Sequence, residues 1–142
     1  AFVGDTGGIR IQGQTLTLPA TPPPDINVEL WNASLDAIAA RRPERLLLTH
    51  FGFVRDVADH LARYRERLRE WSAIAEELLR AHADEAAAAR AFVERMEGEI
   101  TRALPAGEAA HYRFNGGLDL SWMGLARYWR KRAEAAQNAP ER

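Results

Sequence analysis

Two side chains in the first third of the sequence offer recognisable chemistry. Asp5 follows the apolar residues 1–3 and Gly4, and it precedes Thr6-Gly7-Gly8. His50 ends the apolar run of residues 46–49. Carboxylate and imidazole are both common metal ligands, and a side chain at the end of a buried strand is held rigidly. We therefore take Asp5 and His50 as candidate metal ligands and candidate catalytic residues.

Each of the two residues also has a purely structural interpretation. An Asp before Thr-Gly-Gly is typical of a turn in which the carboxylate makes local hydrogen bonds. A single His after a strand is often a hydrogen-bonded structural group, and the chain has only four histidines. Taken one at a time, the two residues leave this structural interpretation open.

The segments that would position these residues have the patterns of short strands. Residues 1–3 are apolar and stop at a glycine, which predicts a strand. Residues 9–12 and 15–18 alternate weakly on either side of a turn, which predicts a hairpin. Residues 45–50 form an apolar run between a proline and a glycine, which is typical of a fully buried strand.

Helical patterns occupy most of what remains. Asp25 follows three prolines and is placed to cap a helix that ends near Pro43. From Asp56 to Leu78, apolar residues recur at alternating steps of four and three. This spacing predicts one long amphipathic helix, or two helices joined near Trp71.

The final third predicts two further helices separated by a loop. Asp84 is placed to cap the first, which we expect to end at Pro105. Residues 111–114 lie before a glycine turn and are interpreted as a packed loop. Asp119 or Ser121 is placed to cap the last helix. The chain thus divides into a small α/β part, residues 1–55, and a mostly helical part, residues 56–142.

The bulk composition excludes several classes of protein. The 142 residues carry a formal net charge of -1, which argues against a nucleic-acid partner. The chain has no cysteine, so it has neither disulfides nor thiolate metal sites. No apolar run approaches the length of a transmembrane helix, and no signal peptide is recognisable, so we expect a cytoplasmic protein without a membrane partner.

Three motifs, taken in order, resemble the distal part of the metallo-β-lactamase superfamily. In that family a strand ends in Gly-Asp, the Asp bridges two metal ions, and a later strand ends in a His that binds the second metal. Asp5 matches the bridging carboxylate, and His50 matches the final histidine. The matching stretches are Phe2-Val3-Gly4-Asp5-Thr6-Gly7-Gly8, Thr21-Pro22-Pro23-Pro24-Asp25 and Leu47-Leu48-Thr49-His50-Phe51-Gly52.

The resemblance implies a fold, a cofactor and a reaction. The fold would be α/β (α+β), the C-terminal half of a metallo-β-lactamase αββα sandwich followed by a mostly helical region. The cofactor would be two divalent metal ions, Zn²⁺ before Fe or Mn. The reaction would be hydrolysis of a small-molecule ester, thioester, lactone, amide or phosphoester.

The sequence lacks the other ligands of that family. Its His-x-His-x-Asp-His cluster is absent, and the remaining histidines are His60, His82 and His111. A catalytic zinc site needs about three protein ligands. The chain also opens within an apparent buried strand. We therefore expect a fragment that is inactive alone, with the missing N-terminal half as its partner or with self-association into a homo-oligomer.

Two alternatives stay open at this point. His60 lies close to the apolar stripe of the long helix, and we interpret it as a helix-surface or supporting residue rather than a metal ligand. The whole chain could instead be a non-catalytic helical module that binds another protein, in which case Asp5 and His50 are structural.

Overall fold

A computed structural model of the chain describes residues 1–24, 26–50 and 52–138. Within these residues the chain begins with a 3₁₀ helix, Gly4–Gly7, and it later forms two strands of two residues each, β1 (Leu46–Leu47) and β2 (Phe53–Val54). Five α-helices contain most of the other residues: α1 (Val28–Ala40), α2 (Val57–Ala81), α3 (Glu85–Ala103), α4 (Ala106–Asn115) and α5 (Leu118–Gln137).

The short strands form a small mixed sheet near the N-terminus. β1 and β2 are antiparallel, and Leu47 pairs with Phe53. The first residues of the chain run parallel to β1 on its other side, where the Val3 N–H donates to the Leu47 carbonyl at 3.2 Å and the Leu47 N–H donates to the Ala1 carbonyl at 2.7 Å. The sheet is therefore three segments wide but only a few residues long.

The predicted fold class is wrong. The expectation was an αββα sandwich half, but the structure is mostly helical, and its described residues form a single two-stranded sheet, supplemented by isolated bridges. The predicted hairpin is reduced to one bridge, in which Ile9 and Leu18 exchange two hydrogen bonds of 2.9 Å. A sandwich requires two packed sheets, and pairings this short are marginal without support. Packing of helices supplies that support here.

Helix α2 joins two hydrophobic clusters. Its N-terminal half contributes Leu61, Tyr64 and Leu68 to a smaller cluster with α1 and the sheet. Its C-terminal half packs in a larger cluster with α3, α4 and α5, and the buried residues there include Trp71 and Phe92. At 25 residues the helix is about 37 Å long, enough to serve as one wall of both clusters.

The helix boundaries correct several of the expected caps. Asp25, expected to cap α1, lies outside the described residues; Asn27 caps the helix and accepts from the Leu30 N–H at 2.8 Å. Asp84 caps α3 as predicted. Neither Asp119 nor Ser121 caps α5, which begins directly after Gly117.

Residues 111–114 are helical rather than a packed loop. They lie in α4, whose N-cap is Pro105. Pro105 ends one helix because it has no N–H to donate and its ring clashes with the preceding turn, and its fixed φ suits the start of the next helix. No helix among residues 1–24, 26–50 and 52–138 is long and apolar enough to cross a membrane.

Gly124 allows helix α5 to approach the backbone of the Pro-rich segment. A Cβ atom added at Gly124 would lie 2.0 Å from the Thr21 carbonyl oxygen. The same contact is held by the Thr21 hydroxyl, which donates to the Ser121 carbonyl at 3.3 Å. Gly107 is the natural comparison, because a Cβ there meets nothing within 4 Å.

We expect Gly124→Ala to destabilise the protein although alanine is the better helix former. The clash with backbone lowers the free energy of unfolding by about 1–3 kcal/mol. Gly107→Ala should leave it unchanged or raise it by up to about 1 kcal/mol. Urea unfolding of both variants measures the difference, and equal stabilities would contradict the close approach.

Candidate metal site

Asp5 and His50, the two residues selected from the sequence, lie side by side in the structure. Nε2 of His50 is 3.5 Å from Oδ1 of Asp5. Both side chains are partly open to solvent, with 47% of the His50 side chain and 41% of the Asp5 side chain exposed. The two groups are therefore adjacent and accessible, although 44 residues of sequence separate them.

The parallel pairing of two segments explains this proximity. Residues 1–3 and β1 run in the same direction, linked by the Phe2–Leu47 bridge, and Ile9 forms a second parallel bridge with His50. Asp5 and His50 each follow one of these paired segments. Residues at the carboxyl ends of neighbouring parallel strands meet at the same edge of a sheet, which is the usual location of ligand sites in α/β proteins.

The 3₁₀ helix that carries Asp5 is hydrogen-bonded to helix α2. His60 is completely buried, and its Nε2 lies 2.8 Å from the Gly7 carbonyl oxygen. A carbonyl only accepts, so Nε2 carries the proton and donates. Nδ1 lies 3.4 Å from Oγ1 of Thr17, whose hydroxyl donates to it. Both ring nitrogens are thus satisfied when His60 is neutral.

Of the two roles that the sequence left open for His60, the structure excludes a helix-surface position and is compatible with a supporting one. The buried stripe of α2 includes His60 and Tyr64 followed by Leu68, at regular steps of four. The predicted apolar stripe contains Leu61, Tyr64 and Leu68, which are buried, but it leaves out His60, which is buried beside them. The structure shows that His60 belongs to the buried face and contacts the loop that carries Asp5.

Tyr64 lies one turn along α2 from His60 and fits against Gly8. A Cβ at Gly8 would lie 2.5 Å from the Tyr64 ring, and Gly8 has a φ of +71°, so glycine is needed there for both reasons. Burial and the nearby Asp5 carboxylate raise the pKa of Tyr64 well above 10. Its buried hydroxyl has no hydrogen-bond partner among the described residues.

Arg10 fastens the same loop to the start of α2. Its Nη1 donates to both carboxylate oxygens of Asp56 at 2.9 Å, and its Nε donates to the Gln14 carbonyl at 2.6 Å. Partial burial would raise the pKa of Asp56, but the hydrogen bonds from Arg10 and the backbone outweigh it, so the pKa is lowered. Asp56 therefore serves as the partner of Arg10, since it makes no side-chain capping bond.

The pair of Asp5 and His50 fits part of a metal site. Two atoms that bind one zinc tetrahedrally at about 2.1 Å lie about 3.4 Å apart, close to the 3.5 Å observed. However, no group of three or more His, Asp or Glu side chains that could hold a metal occurs among residues 1–24, 26–50 and 52–138. The described chain thus provides two ligand groups at a suitable separation, but not a full set.

Other side chains that could bind a metal or an anion do not join this pair. His82 follows the C-terminus of α2, and His111 is exposed on α4. Among the basic residues of α5, Arg130 is paired with Glu85 and Arg132 with Glu29. Phe51, part of the His-Phe-Gly motif, lies outside the described residues.

No family model, curated protein or solved structure matches the chain. The resemblance to the metallo-β-lactamase superfamily therefore rests on the quoted motifs alone, and its consequences for function are proposals.

The buried His60 predicts a loss of stability in mild acid. Burial lowers the pKa of His60 below its usual 6.5. The unfolded chain therefore binds more protons than the folded chain once the pH falls below about 6.5. The stability contributed by neutral His60 is complete above that pH and is lost as the pH falls towards the folded pKa, by at most about 1.4 kcal/mol per pH unit.

Urea unfolding at several pH values between 7.5 and 5 tests this, with His60→Gln as the comparison. Glutamine does not titrate, whereas Asp56 and the other carboxylates affect both proteins alike. The wild type should lose more stability than the variant across this range. Parallel pH profiles for the two proteins would show that His60 is not the responsible group.

Proposed function

We propose that this chain supplies Asp5 and His50 to the dinuclear metal site of a hydrolase similar to the metallo-β-lactamase superfamily. The observation that supports the proposal is the 3.5 Å separation of the two side chains at the carboxyl ends of paired parallel segments. Both side chains are also exposed enough to reach a ligand, with 41% of the Asp5 side chain and 47% of the His50 side chain open to solvent.

The two residues have distinct roles in the proposed site. The Asp5 carboxylate has two oxygens, so it can bind two cations at once and reduce their mutual repulsion. His50 would hold one of them through its imidazole, whose Nε2 faces Asp5. The metal pair, most consistent with Zn²⁺ but compatible with Fe or Mn, would supply Lewis acidity and a water of lowered pKa for attack on a small-molecule ester, thioester, lactone, amide or phosphoester.

The remaining ligands come, in this proposal, from a complementary polypeptide segment. The sheet beside the site has one face buried by Leu46 and Val54. On its other face, Phe2, Leu47 and Phe53 stand in one row of directly paired residues, and Phe2 is 88% exposed. Contiguous apolar side chains on a surface are typical of a site that another segment or protein covers. A segment that covers this row would lie next to Asp5 and His50.

Metal content measured on the protein expressed from its complete reading frame tests the proposal. We expect about two metal ions per protein, and hydrolysis of activated esters or thioesters that chelation abolishes and Zn²⁺ restores. Asp5→Asn and His50→Gln should each lower metal affinity by at least about tenfold and reduce hydrolysis.

Asp59→Asn and His111→Gln are matched controls, because both residues are exposed and lie outside the site. They should keep wild-type metal content and activity. If the protein folds with no bound metal, and if Asp5→Asn and His50→Gln change neither metal content nor hydrolysis, the helical interaction module is favoured instead. Metal bound only by a dimer of this chain would assign the missing ligands to a second copy.

A further inference from the structure

The loop with Asp5 is anchored on α2 by a buried polar side chain, His60. His60 is fully buried, and its Nε2–H reaches the Gly7 carbonyl at 2.8 Å. Within the loop, the Gly8 N–H donates to the Asp5 carbonyl at 2.8 Å. The hydrogen bond from His60 therefore holds the turn only two residues from the proposed ligand.

The other proposed ligand is positioned from the same segment. Ile9 is bridged to His50 in parallel and to Leu18 in antiparallel register. The stretch from Gly7 to Ile9 is thus held by α2 on one side and by the His50 segment on the other. A shift of Gly7 would change the separation of Asp5 and His50, because His50 is fixed by Ile9 and not by His60.

We propose that His60 is a positioning residue of the metal site: its neutral ring, protonated at Nε2, fixes the Gly7 carbonyl and so sets the Asp5 carboxylate at ligand distance from His50. This inference rests on the proposed function for its purpose, but its geometry can be tested without metal. His60 itself does not contact Asp5 or His50 and is not a ligand.

The surroundings of His60 favour this one protonation state. Thr17 presents a hydroxyl to Nδ1. The charged groups nearby are Arg10, Asp56 and Arg63; the two arginines disfavour a proton on the ring, and Asp56 favours one. Since Asp56 is engaged by Arg10 through two hydrogen bonds, its charge is largely compensated. These neighbours therefore favour a neutral His60 ring that carries its proton on Nε2.

Two variants separate the hydrogen bond from the bulk of the ring. His60→Gln retains an N–H donor with a reach similar to that of Nε2 and an acceptor for Thr17. His60→Leu fills the space but removes both. Ile74→Val is the matched control for stability, because Ile74 is buried on the same helix but lies in the other cluster.

The first readout uses metal-free protein and nuclear magnetic resonance. We expect the ¹⁵N shifts of wild-type His60 to show a neutral ring protonated at Nε2. Exchange of the Gly8 amide hydrogen, relative to core amides of α3, should be about tenfold faster in His60→Leu. It should be near wild type in His60→Gln and Ile74→Val. A ring protonated at Nδ1 alone, or Gly8 exchange unchanged by His60→Leu, would overturn the inference.

The second readout is titration with Co²⁺ or Zn²⁺ of the protein from its complete reading frame. His60→Leu should weaken binding by about 10–100-fold, the usual effect of removing a group that orients a metal ligand. His60→Gln should recover most of the affinity. Equal affinity of His60→Leu and wild type would also overturn the positioning role.

The two proposals can fail separately. If wild-type protein binds no metal while His60→Leu still accelerates Gly8 exchange, the hydrolase function is wrong and His60 positions the Asp5 loop for another purpose. If wild-type protein binds metal through Asp5 and His50 but His60→Leu changes neither exchange nor affinity, the function stands and the positioning role is wrong.

Discussion

Helix α2 has to bury two unlike surfaces along its length, and most of the structure follows from that constraint. Its C-terminal half faces apolar side chains of α3 and α5. Its N-terminal half faces α1, the small sheet and the 3₁₀ helix with Asp5. A sheet with two-residue strands would be marginal alone. Packed against a helix that is anchored by the larger cluster, it is held in place.

The polar residues on the buried face of α2 show where this packing is more than apolar contact. Burying a polar group is costly unless it finds a partner. His60 has partners at both nitrogens, and the Ser72 carbonyl accepts from Nε1 of Trp129 at 2.8 Å. Two buried donors, the Tyr64 hydroxyl and Nε1 of Trp71, have none among the described residues. Of the two, Tyr64 is the one close enough to Asp5 for that carboxylate to raise its pKa.

Local sequence signals predicted the helices better than the sheet, for a physical reason. The periodicity of α2 and α3 and the cap at Asp84 depend on residues within a few positions of each other. Strand pairing depends on distant segments, so the apolar run of residues 45–50 could not reveal that only Leu46–Leu47 would pair as a strand. The α4 helix was missed because Pro105 and Gly107 carry the signals of an end as well as a start.

The candidate site was predictable in part for a related reason. Asp5 and His50 each followed a strand-like run, and parallel pairing of those runs is what brings their side chains together. For His60 the sequence left a helix-surface role and a supporting role open and could not decide between them. A helical period tells which residues share a face, but it does not tell which loop covers that face. The hydrogen bond to Gly7 spans 53 residues and depends on the packing of the whole N-terminal cluster.

In the proposed function, the row formed by Phe2, Leu47 and Phe53 lies next to Asp5 and His50. Covering this row and binding metal are therefore linked. Asp5 and His50 are now about half exposed, so water weakens the attraction between the carboxylate and a cation. A segment that covers Phe2 and Phe53 would also exclude water from the pair. Burying the Asp5 charge without a cation would be costly, whereas a bound cation offsets that cost. Docking of the segment and binding of metal must then strengthen each other by the same free energy.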